Sequence, residues 1–285
     1  MRTHSEKALA LRALHERPGA FIIPNPWDAG TARLLAHMGF EALATTSAGY
    51  AFSAGLPDHG VSRDAMLEHV AVIVAAVDLP VSGDLENGFG DAPEDAAQTI
   101  TLAAAAGLAG GSIEDSKNKN DDSTNRPDDP IYEIGFAAER VRAAAEAAHA
   151  LAFPFTLTAR AENFLHGRSD LRDTIERLQA YQEAGADVLY APGLTRKEEV
   201  EAVVRSVDRP VNALAGLGDP PLDFATLSAL GVKRISVGSA LSRAALGAFL
   251  RAAQEMRDHG AFTFTKDAAS SRELNRIFAR YSEQD

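Results

Sequence analysis

Short apolar runs alternate with alanine-rich helical stretches eight times along this chain of 285 residues. Such alternation is typical of parallel strands that are joined by crossover helices. The chain therefore predicts an α/β fold, a (β/α)8 barrel of the TIM type, as one domain over 1–285. A doubly wound open sheet is disfavoured by the strand count and by the lack of a G-x-G-x-x-G turn after the first strand. Helices are predicted at about 5–16, 28–38, 62–77, 93–106, 133–150, 170–184, 195–206, 222–229, 239–259 and 270–280.

Composition excludes several classes of function. The net charge is −12, and lysines and arginines are scattered, which argues against nucleic acid or an anionic membrane as a partner. The chain contains no cysteine, so disulfides, thiolate zinc sites and cysteine nucleophiles are excluded. With no apolar signal core and no run of about 18 apolar residues, a soluble cytoplasmic protein is expected.

Carboxylates follow several of the predicted strands. Asp84 and Glu86 end the third strand, and Glu114 ends the fourth. Strand alternation predicts that Asp84 and Glu86 point to the same side. In a barrel of this type the carboxyl ends of the strands share one mouth, where these groups would repel one another unless a cation lies between them. Hard oxygen ligands suit Mg²⁺, or Mn²⁺. The alternative is that Asp84 or Glu86 pairs with Arg160 or caps the helix near Pro93.

Other polar side chains are also expected at this mouth. Arg160 follows the fifth strand and could clamp a substrate carboxylate, or it could form a salt bridge to Glu162 or Glu114. A second group, Ser47 to Gly49, could offer a hydroxyl and backbone N–H groups to a carboxylate, although as an isolated motif it indicates little.

The segment 115–129 is polar, charged and free of apolar residues. It follows the fourth strand, on the catalytic rim of a barrel. Because such a segment cannot bury a core, it predicts either a mobile lid over the site or a solvated insertion. We favour the lid.

Taken together, these motifs resemble the isocitrate lyase / phosphoenolpyruvate mutase superfamily over roughly residues 20–240. The motifs that carry the resemblance are T-T-S-A-G at 45–49, L-P-D-H-G at 56–60, D-L-E-N-G-F-G at 84–90, G-G-S-I-E-D at 110–115, A-R-A-E at 159–162 and E-A-G-A-D at 183–187. The resemblance implies a barrel whose last helix is swapped between subunits of a homo-dimer or homo-tetramer. It also implies Mg²⁺ held mainly by Asp84, with Glu86 and Glu114 acting largely through water.

The resemblance implies a role for each matching residue. Arg160 would steady the reacting end of a 2-oxo or 2-hydroxy acid, Ser47 and the backbone after it would hold the substrate carboxylate, and the segment after Glu114 would be a gating loop. The candidate catalytic residues are Arg160, Asp58, Glu114 and Lys117; the candidate substrate-binding residues are Ser47, Ala48, Gly49, Arg160, Glu162, Tyr190 and Asn212.

The chain also departs from the family pattern. Isocitrate and methylisocitrate lyases carry K-K-C-G-H in the gating loop, with the cysteine as general acid, where this chain has Ser116-Lys-Asn-Lys-Asn. Phosphoenolpyruvate mutase-like members place a histidine after strand six, where this chain has Tyr190-Ala-Pro. The prediction is a Mg²⁺-dependent lyase or hydrolase that acts on a small 2-oxo or 2-hydroxy (di)carboxylate through a metal-stabilised enolate. The alternatives are a C–P bond mutase or hydrolase and a non-catalytic carboxylate-binding barrel.

Overall fold

The computed structural model describes residues 1–117 and 130–282. Eight parallel strands form one sheet in the order β1-β8-β7-β6-β5-β4-β3-β2, and helices alternate with them. This confirms the predicted (β/α)8 fold. The strands are β1 (Phe21–Ile22), β2 (Leu43–Ala44), β3 (Val81–Asp84), β4 (Gly110–Glu114), β5 (Thr156–Arg160), β6 (Val188–Tyr190), β7 (Val211–Leu214) and β8 (Arg234–Ser236).

Several of the helices begin where a small polar side chain caps the first turn. Thr3, Asp28, Ser62, Asp170 and Asp223 each accept a hydrogen bond from a backbone N–H of the following turn, which satisfies a donor that the helix itself leaves without a partner. The helices are α1 (His4–Glu16), α2 (Ala29–His37), α3 (Ser47–Ser53), α4 (Arg63–Ala76), α5 (Pro93–Ala105), α6 (Ile134–His149), α7 (Leu171–Glu183), α8 (Lys197–Arg205), α9 (Phe224–Ala229), α10 (Ala240–His259) and α11 (Ser271–Ser282), with a 3₁₀ helix over Thr263–Asp267.

The gap between β1 and β2 is bridged by hydrogen bonds. The backbone N–H of Ala44 donates to the carbonyl of Pro24 at 3.0 Å. Beyond it, the side chain of Asn25 donates to the carbonyl of Thr45 at 3.0 Å and accepts from the N–H groups of Val237 and Gly238. Asn25 therefore ties together the carboxyl ends of β1, β2 and β8.

The apolar core lies between the sheet and the surrounding helices, with a second cluster under the barrel. In that cluster Leu11 and Leu14 of α1 pack with Phe21 and Ile23. Burying a leucine side chain of this kind contributes roughly 1.5–3 kcal/mol. Because α1 closes the amino-terminal end, the opposite end is left for the site.

Helix α3 was not predicted. Thr46 caps it by accepting from the N–H of Gly49, and Gly49 packs so closely that an added Cβ would lie 2.6 Å from Thr46 Cγ2 and 3.1 Å from Trp27 Cβ. Glycine disfavours a helix interior, so the sequence argued against this one. Close packing against Trp27 and Ser242 selects it in the folded chain.

Helix α10 projects from the barrel, and of its 20 residues only Ser242 is buried. Phe249 and Leu250 are 67% and 65% exposed in the single chain. A second subunit would cover this face, but both the homo-oligomer and the exchanged helix stay predictions. Helix α11 returns to α2 of the same chain, where Tyr281 Oη donates to the carbonyl of Arg33 at 3.1 Å. Within the described residues, none of the helices has the length and apolar character that a membrane span requires.

Candidate active site

A cavity of about 160 Å³ opens at the carboxyl ends of the strands. Its volume is below the usual range of about 300–1,000 Å³ for ligand sites, which suits a ligand of few atoms. A larger groove of about 640 Å³ lies at the amino-terminal end of the barrel, beside Arg12 and Phe153. Since active sites of such barrels are built on the carboxyl face, the smaller cavity is the candidate. Among its lining residues are Asn25, Ser47, Ala48, Asp58, Asp84, Arg160, Tyr190 and Arg234.

Arg160 contacts three carboxylates at the rim of this cavity. Its Nη1 lies 2.8 Å from Asp84 Oδ1, its Nη2 lies 3.1 Å from Glu114 Oε2, and its Nε lies 2.9 Å from Glu162 Oε1. Burial would lower the pKa of Arg160, but these three carboxylates raise it above its ordinary value. The salt bridges that the sequence left as an alternative are therefore present in the structure.

Asp84 is held by Ser47 as well as by Arg160. The N–H of Ser47 donates to Asp84 Oδ2 at 3.0 Å, and its hydroxyl donates to the same oxygen at 2.9 Å. Burial would raise the pKa of Asp84, but Arg160 and the two bonds from Ser47 lower it. A carboxylate has about four acceptor positions, and Asp84 uses three. One position therefore remains for a further ligand. The Ser47 hydroxyl, which was predicted to bind the substrate, donates to Asp84 instead.

Glu86 reaches the site by a different route from the predicted one. Strand β3 ends at Asp84, and Glu86 lies in the following turn with a φ of 49°. The argument from strand alternation was therefore wrong for Glu86, because the left-handed turn decides its direction. Glu86 Oε2 lies 3.2 Å from His59 Nδ1, and His59 is also left-handed at φ 61°. Non-glycine residues in this region of φ and ψ store strain and cluster at functional sites.

Arg140 of α6 holds this turn from below. Its Nη1 donates to the carbonyls of Gly90 at 2.8 Å and of Asp91, and its Nη2 donates to the carbonyl of Asn87. The guanidinium also lies over the ring of Tyr132, 4.5 Å from the centroid. Because the left-handed turn cannot pair these carbonyls within a helix or a strand, Arg140 supplies their hydrogen-bond donors.

Replacing Arg140 with lysine is expected to lower the free energy of unfolding by about 2 kcal/mol, since a lysine cannot reproduce the planar fork. Urea unfolding of the full chain measures this loss. Arg142→Lys is the matched control, because Arg142 is exposed on the same helix. Equal unfolding free energies for the two variants would contradict the role given to Arg140.

The four acids and two cations of the site do not balance. Asp84, Glu86, Glu114 and Glu162 surround Arg160 and His59. A hydrogen bond to Glu86 raises the pKa of His59 to about 9, against the effect of burial. Burial raises the pKa values of Glu86 and Glu162, and raises that of Glu114 well above its ordinary range. The site therefore holds an excess of negative charge that would attract a proton or a cation.

The donor set fits Mg²⁺ that keeps most of its water. Glu86 Oε1 is buried and has no hydrogen-bond partner within the described residues. In that part of the chain, no three His, Asp or Glu side chains are arranged to coordinate one ion together. Mg²⁺ commonly binds through one or two carboxylates and retains several waters. Asp84 and Asp58 line the cavity, whereas Glu86 and Glu114 do not, so Asp84 is the residue best placed to touch the ion.

The structure does not place Asp115 in the predicted lid. It is buried, and its carboxylate accepts from Tyr181 Oη at 2.6 Å, from Arg177 Nη1 at 3.0 Å and from the N–H of Glu162 at 2.8 Å. Burial raises its pKa. Placing Asp115 in a solvated lid was therefore wrong, because partners distant in sequence pair with it. The rest of the predicted gating loop, 118–129, lies outside the described residues.

Three other candidates lie near the cavity without lining it. The side chain of Asn212 donates to Ser236 Oγ at 3.0 Å, while the N–H of Gly49 donates to Thr46 Oγ1. Lys117 lies at the base of the predicted loop, with Nζ 5.9 Å from the centroid of the Tyr132 ring. Tyr190 does line the cavity, and its ring centroid lies 5.3 Å from Arg160 Cζ. Burial raises the pKa of Tyr190 to about 12, so its hydroxyl keeps its proton at neutral pH.

Two arginines were missed by the sequence reasoning. Arg234 opens strand β8 and lines the cavity. Arg140 lies on the buried face of α6 beside Ala137 and Ala144. The available signal was the same in both cases, since a charged residue stood where the apolar spacing required a buried one.

Comparison with known proteins agrees with the geometry. The family model described as phosphoenolpyruvate phosphomutase matches residues 11–257. A crystal structure from Burkholderia cenocepacia J2315, described in general terms as a lyase/mutase, is 64% identical, covers 97% of each chain and gives a TM-score of 0.92.

Two relatives with more specific names match at lower identity. The 2-methylisocitrate lyase of Escherichia coli strain K12 is 31% identical over 75% of this chain and 71% of its own length. A structure of oxaloacetate acetylhydrolase with its product oxalate is 26% identical, covers 97% of this chain and 95% of the other, and gives a TM-score of 0.84. The chain therefore belongs to the phosphoenolpyruvate phosphomutase family, within the isocitrate lyase / phosphoenolpyruvate mutase superfamily that its motifs predicted.

Proposed function

We propose that this chain is a Mg²⁺-dependent enzyme that makes or breaks a carbon–carbon bond next to the oxygen-bearing carbon of a small 2-oxo or 2-hydroxy dicarboxylate. The observation that carries the proposal is the acidic ring around Arg160, with the unpartnered oxygen of Glu86 behind it. The name of one relative, oxaloacetate acetylhydrolase, supports this class of acid, and the name of another, 2-methylisocitrate lyase, supports cleavage of a bond in a carboxylate substrate.

Asp84 would hold the metal, with Glu86 and Glu114 acting through water. Bound Mg²⁺ would supply a Lewis acid that offsets negative charge developing on the substrate oxygen. Arg160 uses one N–H of each guanidinium nitrogen for its carboxylates, so two of its five donors remain to steady the reacting group. The ring of Tyr190 lies 5.3 Å from the Cζ atom of that guanidinium, and Tyr190 also lines the cavity with a hydroxyl that stays neutral.

The description of the matching family model favours a second candidate, a C–P bond mutase or hydrolase. A non-catalytic carboxylate-binding barrel is the alternative outside enzymes. All three functions are compatible with the fold, and they differ in which products, if any, are released.

Calorimetry with oxalate tests the metal site. The expected result is that the full chain binds oxalate in MgCl₂ at least about tenfold more tightly than in EDTA, because a dianion at an acidic site needs a cation to bridge it. Equal affinity in the two buffers would contradict a Mg²⁺ site.

A substrate panel then separates the three functions. The protein is incubated with 2-hydroxy dicarboxylates, oxaloacetate and phosphonopyruvate, while release of pyruvate, glyoxylate, acetate and phosphate is followed. Carbon products alone support the proposed function, and release of phosphate or conversion of phosphonopyruvate into a phosphate ester supports the C–P alternative. Mg²⁺-dependent oxalate binding without any product supports the binding protein.

A further inference from the structure

Arg234 is a buried arginine at the floor of the cavity. It lies beside Asn212 in the sheet register and is 5% exposed. Its Nη1 donates to Thr158 Oγ1 at 3.1 Å across the barrel. Its Nε is buried without a partner, and no described carboxylate lies within ion-pair distance of its guanidinium.

The other buried arginines in the described part of the chain are treated differently. Arg177 contacts Asp115 and Asp173. Arg140 also has an Nε without a partner, but its two terminal nitrogens donate to three backbone carbonyls. Arg160, which lines the same cavity, already contacts three carboxylates. Buried charges are normally paired, and a guanidinium fork matches a carboxylate. Arg234 therefore presents an anion-binding group to the cavity that this chain does not itself satisfy.

Arg234 keeps its positive charge at neutral pH. Burial lowers its pKa, but only to about 10. Tyr190, Arg160 and Asp84 are the titratable groups that act on Arg234, and the small side chains of Ser112 and Ser236 also line the cavity. Asp84 lines the same cavity, so the cavity has an acidic residue suited to a cation as well as a basic residue suited to an anion.

We propose that Arg234 binds the second anionic group of the substrate and so selects dicarboxylates over monocarboxylates. This inference rests on the proposed function, since it assumes that the reacting end of the acid lies at Asp84 and Arg160. It assigns a specificity role to a residue on β8 rather than to the acidic ring.

The test compares two 2-hydroxy acids that differ by one carboxylate, lactate and malate, with oxalate as the probe of the metal site. Calorimetry in MgCl₂ is performed on the full wild-type chain, on Arg234→Gln and Arg234→Met, and on the surface control Arg205→Gln. Arg205 pairs with Glu201 and is 77% exposed in its side chain. NMR of the same samples follows any conversion of malate.

We expect the wild type and Arg205→Gln to bind malate at least about tenfold more tightly than lactate, because a charge-assisted fork is lost when the second carboxylate is missing. In Arg234→Gln and Arg234→Met this preference is expected to fall to about threefold or less, with oxalate affinity nearly unchanged. Arg234→Lys should restore part of the preference. The ratio of the malate and lactate affinities of one sample does not depend on the fraction of the protein that is folded. If the Arg234→Gln variant does not fold, Arg234→Met is used in its place.

An unchanged malate preference in the variants would overturn the inference while leaving the proposed function intact. Equal weakening of oxalate, lactate and malate would also overturn it, because Arg234 would then support the whole site. Failure of the wild type to bind oxalate in MgCl₂ would overturn the proposed function and this inference together.

Discussion

Replacing Asp84 with asparagine is expected to weaken Mg²⁺-dependent oxalate binding, and any turnover, by at least about 100-fold. Loss of residues that merely orient metal ligands costs about 10–100-fold, so loss of the ligand itself should cost more. An amide is nearly the same size as a carboxylate but lacks its charge. Arg160 would keep Glu114 and Glu162 as partners, so the fold should persist.

The measurement is the same oxalate titration, with and without EDTA, on the folded variant. Asp267→Asn is the matched control, because Asp267 is exposed in the C-terminal segment. Wild-type affinity in Asp84→Asn would mean that another acid, such as Asp58 of the cavity wall, holds the ion. It would remove the central assignment of the proposed function.

Replacing Arg160 with glutamine is expected to lower the free energy of unfolding at pH 7 by roughly 3–5 kcal/mol. Removing one partner of a buried ion pair leaves the other charge uncompensated, and here three carboxylates lose their cation at once. Arg160 is 14% exposed in its side chain, so water screens little of this cost. Urea unfolding at pH 7 measures it. Arg172→Gln removes an exposed pair with Glu176 and should leave the free energy of unfolding nearly unchanged, because water screens such a pair.

The loss in Arg160→Gln should depend on pH and on Mg²⁺. Burial already raises the pKa values of Glu114 and Glu162, and removal of Arg160 takes away the positive charge that opposes this rise. A carboxyl with a raised folded pKa binds more protons folded than unfolded, so the variant gains stability relative to wild type as pH falls from 7 towards 5. MgCl₂ should restore part of the loss at pH 7. A deficit that is the same at both pH values would contradict the electrostatic explanation.

The sequence was sufficient to predict that Asp84, Glu114 and Arg160 lie together at the carboxyl ends of the strands. Asp84, Glu114 and Arg160 each end an apolar run, and the carboxyl ends of parallel strands meet at one edge whatever packs around them. Glu86 was correctly predicted to lie near Asp84, but the reason was wrong. The two-residue alternation of a strand does not continue into a left-handed turn. The prediction for Asp115 failed because local polarity carries no information about Tyr181 and Arg177, which lie on another helix.

By itself, the sequence determined the order of strands and helices and the acids that the strand ends deliver, because hydrophobic period and strand length are local properties. The tertiary structure alone decided that Arg160 contacts three carboxylates, that Ser47 donates to Asp84, and that Arg234 has no carboxylate within reach among the described residues. The physical reason is that charge pairing in a barrel depends on distances between strands that are far apart in sequence. A sequence shows the same charged residues whether they are paired with each other, exposed to solvent or available to bind a ligand.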